Sequence, residues 1–269
     1  APRRLALDRY FPAFHAQPHA GHVNDPNGPM FFNGHYHLFM QQFFPWRKDW
    51  INGAVGWGHM VSSDLVTWRE VEGALVPGRS DWAPVATGGY YSGSATIVDG
   101  VPRIMFAAVF TPGPCADPWA GRNNSCSMVY MISRPLNLSD PYLEEWSEPQ
   151  AVIQPNEGLQ PHGWTRDDPS QAWPDPATNG DRWIFIGPTM VPRHVDGQTA
   201  VGIEQGWAGD WRGRWTSLGD FFDSGPLGDN DGCCPTFVPE LQGYSLLYQC
   251  DQLCSNLRLS RFGTTFDEP

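Results

Sequence analysis

Helix-permissive sequence is what this chain has least of. Its 29 glycines and 26 prolines are spread so evenly over 269 residues that almost no window of a dozen residues escapes both, which nearly excludes long α-helices. Nor is there an apolar run near the roughly 20 residues of a membrane-spanning helix, so no membrane partner is expected. Lysine is scarce, and 17 basic residues against 29 acidic ones leave a formal net charge of −12 and a pI near 4.9. A surface of that sign repels phosphate backbones and anionic headgroups, which sets nucleic acid aside and makes a neutral ligand easier to accommodate.

Cysteine is present, but not in metal-binding order. Cys115, Cys126, Cys233, Cys234, Cys250 and Cys254 contain neither a CxxC pair nor the histidine spacing of a zinc site, so no metal or other cofactor is expected and disulfides fit better. No low-complexity linker interrupts the sequence, so a single domain over residues 1–269 is expected. The chain begins with Ala1 and carries no hydrophobic leader, so a signal peptide, if one existed, is expected to have been removed or never included.

What is there suits short strands and tight turns. A hydrophobic content of 41% supports a real core, and strand-like segments bounded by Gly, Pro, Asn or Asp recur at short intervals. They are Met30–Phe32, His35–Gln42, Val55–Ser62, Ala95–Val98, Arg103–Val109, Ser127–Ser133, Trp183–Pro188, Thr199–Gly202, Tyr244–Gln249 and Asn256–Phe262. Asn33-Gly34 and Asp99-Gly100 are hairpin signals between such runs, so the fold class is all-β and antiparallel. SSDLVTWREV from Ser62 and SRPLNLSDPYLEEWSEP from Ser133 share one plan, a strand, Ser, a polar turn and then Trp. A third candidate is Gly206–Trp211. One such unit per blade is the mark of a β-propeller.

The 13 tryptophans and 8 tyrosines suit stacking against neutral sugar rings, although core packing uses the same residues. Asn123-Asn124-Ser125 and Asn137-Leu138-Ser139 are N-glycosylation sequons, and with the scarcity of lysine they point to an exported protein. The run Asn24-Asp25-Pro26-Asn27-Gly28 has strong turn chemistry, since Pro fixes φ, Gly tolerates positive φ, and Asn and Asp side chains bond nearby backbone. A turn is therefore expected there, holding the Asp25 carboxylate stiffly before a strand.

Taken in order, NDPNG with YHLFMQQ, GWGHMVSSDLVTW, YSGSATIVDG and RDDPSQAW resemble glycoside hydrolase family 32, the invertases, inulinases, levanases and fructosyltransferases. The resemblance runs from about His15 to Trp215, and loosely to Phe237. It implies a five-bladed β-propeller with a funnel-shaped site on its axis, usually followed by a β-sandwich. At this length the fifth blade is expected to be incomplete and the sandwich missing. It also implies sucrose or a fructan as substrate, in a secreted, vacuolar or cell-wall type of compartment.

A retaining glycosidase needs one carboxylate to attack the anomeric carbon and one acid to protonate the leaving oxygen. Asp25 matches the family's nucleophile. Counting back from Pro169 and Ala172-Trp173 places the transition-state stabiliser at Asp168. Asp167 then fills the family's arginine position, unless one residue is inserted and Arg166 still reaches the site. At the general acid/base position the family carries Glu before Cys-Pro, whereas this chain has Cys233 before Cys234-Pro235. Asp231 and Glu240 are nearby in sequence as substitutes, and the doublet together with Cys250 and Cys254 also reads as disulfide chemistry. Gln41 and Ser92 fall where the family holds substrate beside the nucleophile. Asn24 either bonds the sugar or caps the turn, and Trp50 and Trp57 either wall the fructosyl pocket or belong to the core. The resemblance thus supports a β-fructofuranosidase-like hydrolase, with a fructoside-binding protein of little turnover, or a fragment of a longer hydrolase, as the alternatives.

Overall fold

The structure, a computed structural model, describes residues 16–44, 55–76, 89–110, 127–152, 164–165, 169–175, 178, 181–190, 193–195, 198–200, 203–209, 211, 215–223, 233–241, 244–250, 256–261 and 265–266. Among them every regular element of more than a single turn is a β-strand, and all pairings are antiparallel. No helix of the described residues is long and apolar enough to cross a membrane.

The first sheet is a meander of β1 (His22–Phe32), β2 (His35–Phe43), β3 (Val55–Ser62) and β4 (Arg69–Leu75), in that order. A second has β5 (Gly89–Val98), β6 (Val101–Phe110), β7 (Ser127–Ser133) and β8 (Gln150–Ala151), again in chain order. In the third, β9 (Trp164–Thr165) and β10 (Trp173–Pro174) both pair with β11 (Trp183–Met190), ahead of a separate ribbon of β12 (Arg193–Val195) and β13 (Gln198–Ala200). The third sheet continues through β14 (Ile203–Gly209) and β15 (Trp215–Asp223), and a fourth runs β16 (Cys233–Leu241), β17 (Tyr244–Cys250), β18 (Asn256–Arg261), β19 (Thr265–Phe266). The chain divides into two compact units, residues 1–104 with 109–126 and 133–149, and residues 105–108 with 127–132 and 150–269.

Both predicted hairpins form. Asn33 (φ 48°) and Gly34 (φ 80°) join β1 to β2, and Asp99 (φ 51°) and Gly100 (φ 75°) join β5 to β6. Two consecutive positive φ values give the turn whose twist matches that of paired strands. The turn expected at residues 24–28, by contrast, lies inside β1. Its turn-forming residues displace the register twice, between Val23 and Pro26 and between Asn27 and Met30. A proline that cannot donate to a ladder is tolerated there because β1 is the edge of its sheet.

The two related loops share more than a sequence plan. After β3, Leu65 takes φ 64° and its carbonyl accepts the Trp68 indole N–H at 3.3 Å; before β8, Leu143 takes φ 50° and accepts from Trp146 at 2.7 Å. In both an aspartate closes the turn from the side. Asp64 Oδ1 accepts from the Val66 and Thr67 N–H groups, and Asp140 accepts from those of Tyr142 and Glu144. Backbone donors hold the exposed Asp64 carboxyl below its ordinary pKa. The third candidate fails, because residues 206–209 lie within β14, with Trp207 opposite Phe185.

In the first unit the core centres on Phe39, Trp57 and Trp146, with the Trp146 ring edge-on to Phe39 at 5.5 Å. In the second, Tyr130, Phe185, Trp215 and Trp211 form an edge-to-face series with centroids 5.0 to 5.3 Å apart, a spacing that adds to their burial.

Candidate active site

Asp25 lies within the first register shift of β1, between Val23 and Pro26, and it is exposed. The bulged backbone brings β1 close to β5. Gly28 has φ +45°, and a Cβ there would stand 3.1 Å from both the Cβ and the amide nitrogen of Ala95. Only glycine meets both demands, the positive φ and the close approach.

That approach sets the Ser92 hydroxyl of β5 under the carboxylate. Ser92 Oγ donates to Asp25 Oδ2 at 2.8 Å and accepts from Gln41 Nε2 of β2 at 2.5 Å. A hydroxyl has one proton and two lone pairs, so the amide donor commits the serine proton to Asp25. Asn27 completes the group. With its oxygen toward β5 it accepts from the Gly93 N–H at 3.3 Å. In the opposite and better satisfied orientation its nitrogen donates to Ser92 Oγ and its oxygen accepts from the Gln41 N–H, each at 3.3 Å. Gln41, Asn27 and Ser92 are all at most 5% exposed, so an exposed carboxylate stands on a buried, hydrogen-bonded base.

The other expected residues are placed as follows. Asn24 is exposed, and its Oδ1 faces His22 Nε2 at 3.0 Å. Trp57 is fully buried and its indole N–H donates to the Tyr91 carbonyl at 2.7 Å. It is therefore a core residue tying β3 to β5, not a solvent-facing wall. Trp50, Arg166, Asp167, Asp168 and Asp231 lie outside the described residues. Just after Asp168, Ser170 is pinned to β11, accepting from the Ile186 N–H at 2.9 Å and donating its own N–H to the Ile186 carbonyl at 2.8 Å. Cys233 opens β16 and is the backbone partner of Cys250 on β17, and Glu240 lies near the far end of β16.

Two features went unread in the sequence. Asn27 belongs to the turn-forming run by sequence, and its contacts with Ser92 and Gln41 arise from strand approach. The second is a buried histidine pair. His37 Nδ1 lies 3.0 Å from His59 Nε2, both residues are 1% exposed, and among the described residues no hydrogen bond reaches His59 Nδ1. Burial lowers the His37 pKa to about 4, with nearby His35 lowering it further while the Phe32 backbone and Asp140 oppose. Burial and the neighbouring His37 push His59 well below its ordinary value. Phe39 stacks on the His59 ring at 4.4 Å, so a neutral imidazole sits among aromatics. Away from Asp25, a groove of about 400 Å³ is lined by Gln42, Phe44, Glu70, Val71, Glu72, Gly73 and Glu144. One of its carboxylates, Glu70, is engaged by His19.

A meandering all-β chain with an exposed carboxylate supported from below, at the Asp of an NDPNG run, has the organisation of a glycosidase site built on strands. Residues 15–189 match the model of the glycosyl hydrolases family 32 N-terminal domain, and the chain belongs to that family. It is 30% identical over 273 residues to a fructan 6-exohydrolase of Beta vulgaris, a match covering 97% of this chain and 39% of that protein. With beta-fructofuranosidase, insoluble isoenzyme 3, of Oryza sativa it shares 37% over 177 residues, covering 65% of this chain and 26% of the relative. Among solved structures, fructan 1-exohydrolase IIa of Cichorium intybus superposes with a TM-score of 0.64 at 24% identity, covering 92% of this chain and 43% of that one. A GH32 beta-fructofuranosidase of Bombyx mori gives 0.64 at 20%, covering 99% and 54%. The chain thus spans well under two thirds of each relative's length, and the structural likeness speaks for the fold.

Proposed function

We propose that this chain is the catalytic-type domain of a retaining glycoside hydrolase acting on sucrose or fructans, built as a five-bladed β-propeller. The observation that carries the reading is the Asp25 carboxylate, exposed to a ligand yet held from beneath by the Ser92 hydroxyl. The relatives are named as beta-fructofuranosidases and fructan exohydrolases, one solved with 1-kestose and one with sucrose.

In the first step an Asp25 carboxylate oxygen attacks the anomeric carbon of the fructosyl unit. A carbon–oxygen bond to Asp25 forms, the glycosidic bond breaks, and the leaving oxygen takes a proton from an acid on the opposite side. Water then attacks the same carbon and gives its proton to the group that acted as acid, the carbon–oxygen bond to Asp25 breaks, and fructose and the free carboxylate are released. Ser92 steers this chemistry by occupying Asp25 Oδ2 with a hydrogen bond, which leaves Oδ1 for attack. Asp168 would accept hydrogen bonds from the sugar hydroxyls, with Arg166 or Asp167 beside it, and Asn24 and Gln41 would contact the same unit. Trp50 is the remaining aromatic wall, in a protein exported to a secreted, vacuolar or cell-wall type of compartment.

A second reading rests on Cys233. A thiol with an ordinary pKa near 8.5 is a poor proton donor beside a tuned glutamic acid, and loss of a positioned acid costs roughly 10²- to 10⁴-fold. On that reading the chain binds fructosides and turns them over slowly. Fructose release from sucrose, 1-kestose and inulin by the purified chain, measured alongside calorimetric binding of the same sugars, decides between them. Binding with turnover supports the hydrolase, binding without it supports the second reading, and neither rules out both.

A further inference from the structure

We propose that His22 is a positioning residue of the sugar site: it fixes the side-chain amide of Asn24 so that the nitrogen, not the oxygen, is offered to a bound fructosyl unit. This role rests on Asp25 being the nucleophile of such a site, and it adds what the site demands of its ligand.

The backbone of β1 brings the three residues together. Val23 pairs with Gln42 and Pro26 with Met40, so Asn24 and Asp25 together stand opposite the single Gln41. An extra residue of this kind re-aims side chains from the strict alternation of a pleat, and here Asn24 and Asp25 are both exposed. His22 is the register partner of Phe43, and its ring lies tilted against the Phe43 ring with centroids 5.6 Å apart. From that seat Nε2 stands 3.0 Å from Asn24 Oδ1.

Only one of those two atoms can donate. An amide oxygen accepts and has no proton to give, so the ring nitrogen facing it carries the proton, and neutral His22 is held as its Nε2–H tautomer. Asn24 Nδ2, with two N–H groups, is then turned away from the ring, and no other hydrogen bond reaches this amide among the described residues. Without the histidine the amide could turn over and present either end. With it, the residue beside the nucleophile presents a donor. A ligand must therefore set an accepting oxygen, such as a hydroxyl of a neutral sugar, against Asn24 while its anomeric carbon lies against Asp25.

Kinetics on sucrose with the full chain, or calorimetric binding where turnover is slow, tests this. His22→Phe keeps a ring against Phe43 but has no proton to give. KM or Kd should rise by roughly 2- to 10-fold with kcat little changed, the pattern of one hydrogen bond lost from uniform binding. His22→Gln, which returns an N–H near the place of Nε2, should restore most of the affinity. In an Asn24→Ala background His22→Phe should add nothing, since the histidine acts through the asparagine. Nitrogen-15 NMR of the native chain at mildly alkaline pH should show the Nε2–H tautomer, whether or not sugar is present. A folded His22→Phe chain of native affinity, an undiminished effect in the Asn24→Ala background, or an Nδ1–H tautomer overturns the role of His22 alone. A native chain that neither binds nor cleaves sucrose, 1-kestose or inulin overturns the sugar site itself, and the role of His22 with it, even where the tautomer is the expected one.

Discussion

Ser92 holds Asp25: its hydroxyl donates to Oδ2 of the carboxylate at 2.8 Å while accepting from Gln41 at 2.5 Å. The serine belongs to β5 and the aspartate to β1, 67 residues apart, so the relation exists only because Gly28 lets the two strands approach. A hydrogen bond to a charged group contributes about 1.5–3 kcal/mol. Ser92→Ala should therefore lower kcat/KM by roughly 10- to 100-fold, with Ser92→Thr recovering most of it. Gln41→Leu, which frees the serine proton to point elsewhere, should lose less. A Ser92→Ala enzyme with unchanged kcat/KM would remove the serine from the mechanism.

Gly28 tests the approach itself. Gly28→Ala combines a positive φ of +45° with a Cβ only 3.1 Å from Ala95, and should destabilise the chain by about 1–3 kcal/mol. Ala95→Gly removes only the Cβ contact and leaves the backbone contacts and the positive φ, so the double variant should recover only a fraction of the loss. Thermal unfolding of the three proteins reads this directly.

The histidine pair predicts acid sensitivity. Both imidazoles are neutral in the fold with lowered pKa values, His37 at about 4, whereas in the unfolded chain they take up protons near pH 6.5. The unfolded state thus binds more protons below pH 6.5, and stability falls as pH drops through the window from 6.5 to about 4. The slope is at most about 1.4 kcal/mol per pH unit for each histidine. His37→Leu with His59→Phe should flatten the melting temperature over this range relative to the native chain. Equal slopes in the two proteins would show that other groups set the acid response.

Cys233 separates hydrolase from binding protein. Cys233→Glu supplies a carboxylic acid at the position proposed for the proton donor, and the gain in sucrose turnover should approach roughly 10²- to 10⁴-fold. A Cys233 tied to another cysteine makes the same substitution cost about 2 to 5 kcal/mol in stability without activity, and mass mapping of the unreduced chain identifies that state. A native chain already hydrolysing sucrose at rates unaffected by Cys233→Ala would place the acid elsewhere.

Much of the fold was legible because local chemistry decides it. Asn33-Gly34 and Asp99-Gly100 admit few conformations besides a tight hairpin, and β3 and β7 were bounded as the sequence suggested. The loops around Trp68 and Trp146 were paired by composition before their shared Leu-to-Trp bond was visible. Besides strands of two or three residues, those that escaped are the ones in which polar residues, Gly or Pro obscure the period of two: REVEGAL in β4, IEQGWAG in β14, WTSLGDFFD in β15 and CCPTFVPEL in β16. The part of β1 before Met30 escaped for a related reason, since a bulged edge strand and a turn draw on the same residues.

The site was legible one residue at a time, not as an assembly. Asp25, Gln41 and Ser92 could each be named from a motif, but who donates to whom depends on strand approach. Asn27 and the two histidines act through contacts between strands that no local pattern records. Trp57 could equally have walled a pocket or filled the core, and burial by its neighbours decided for the core.

The central claim is that Asp25 is a reagent, and Asp25→Ala tests it most directly. It is exposed, and the hydrogen bond that truncation removes is the one from the Ser92 hydroxyl. The variant should therefore melt within a few degrees of the native chain, as surface changes do, while fructose release from sucrose and inulin falls to background. Retained turnover in a folded Asp25→Ala protein would contradict the account, and a variant that unfolds yet regains activity when stabilised would return Asp25 to a purely structural role.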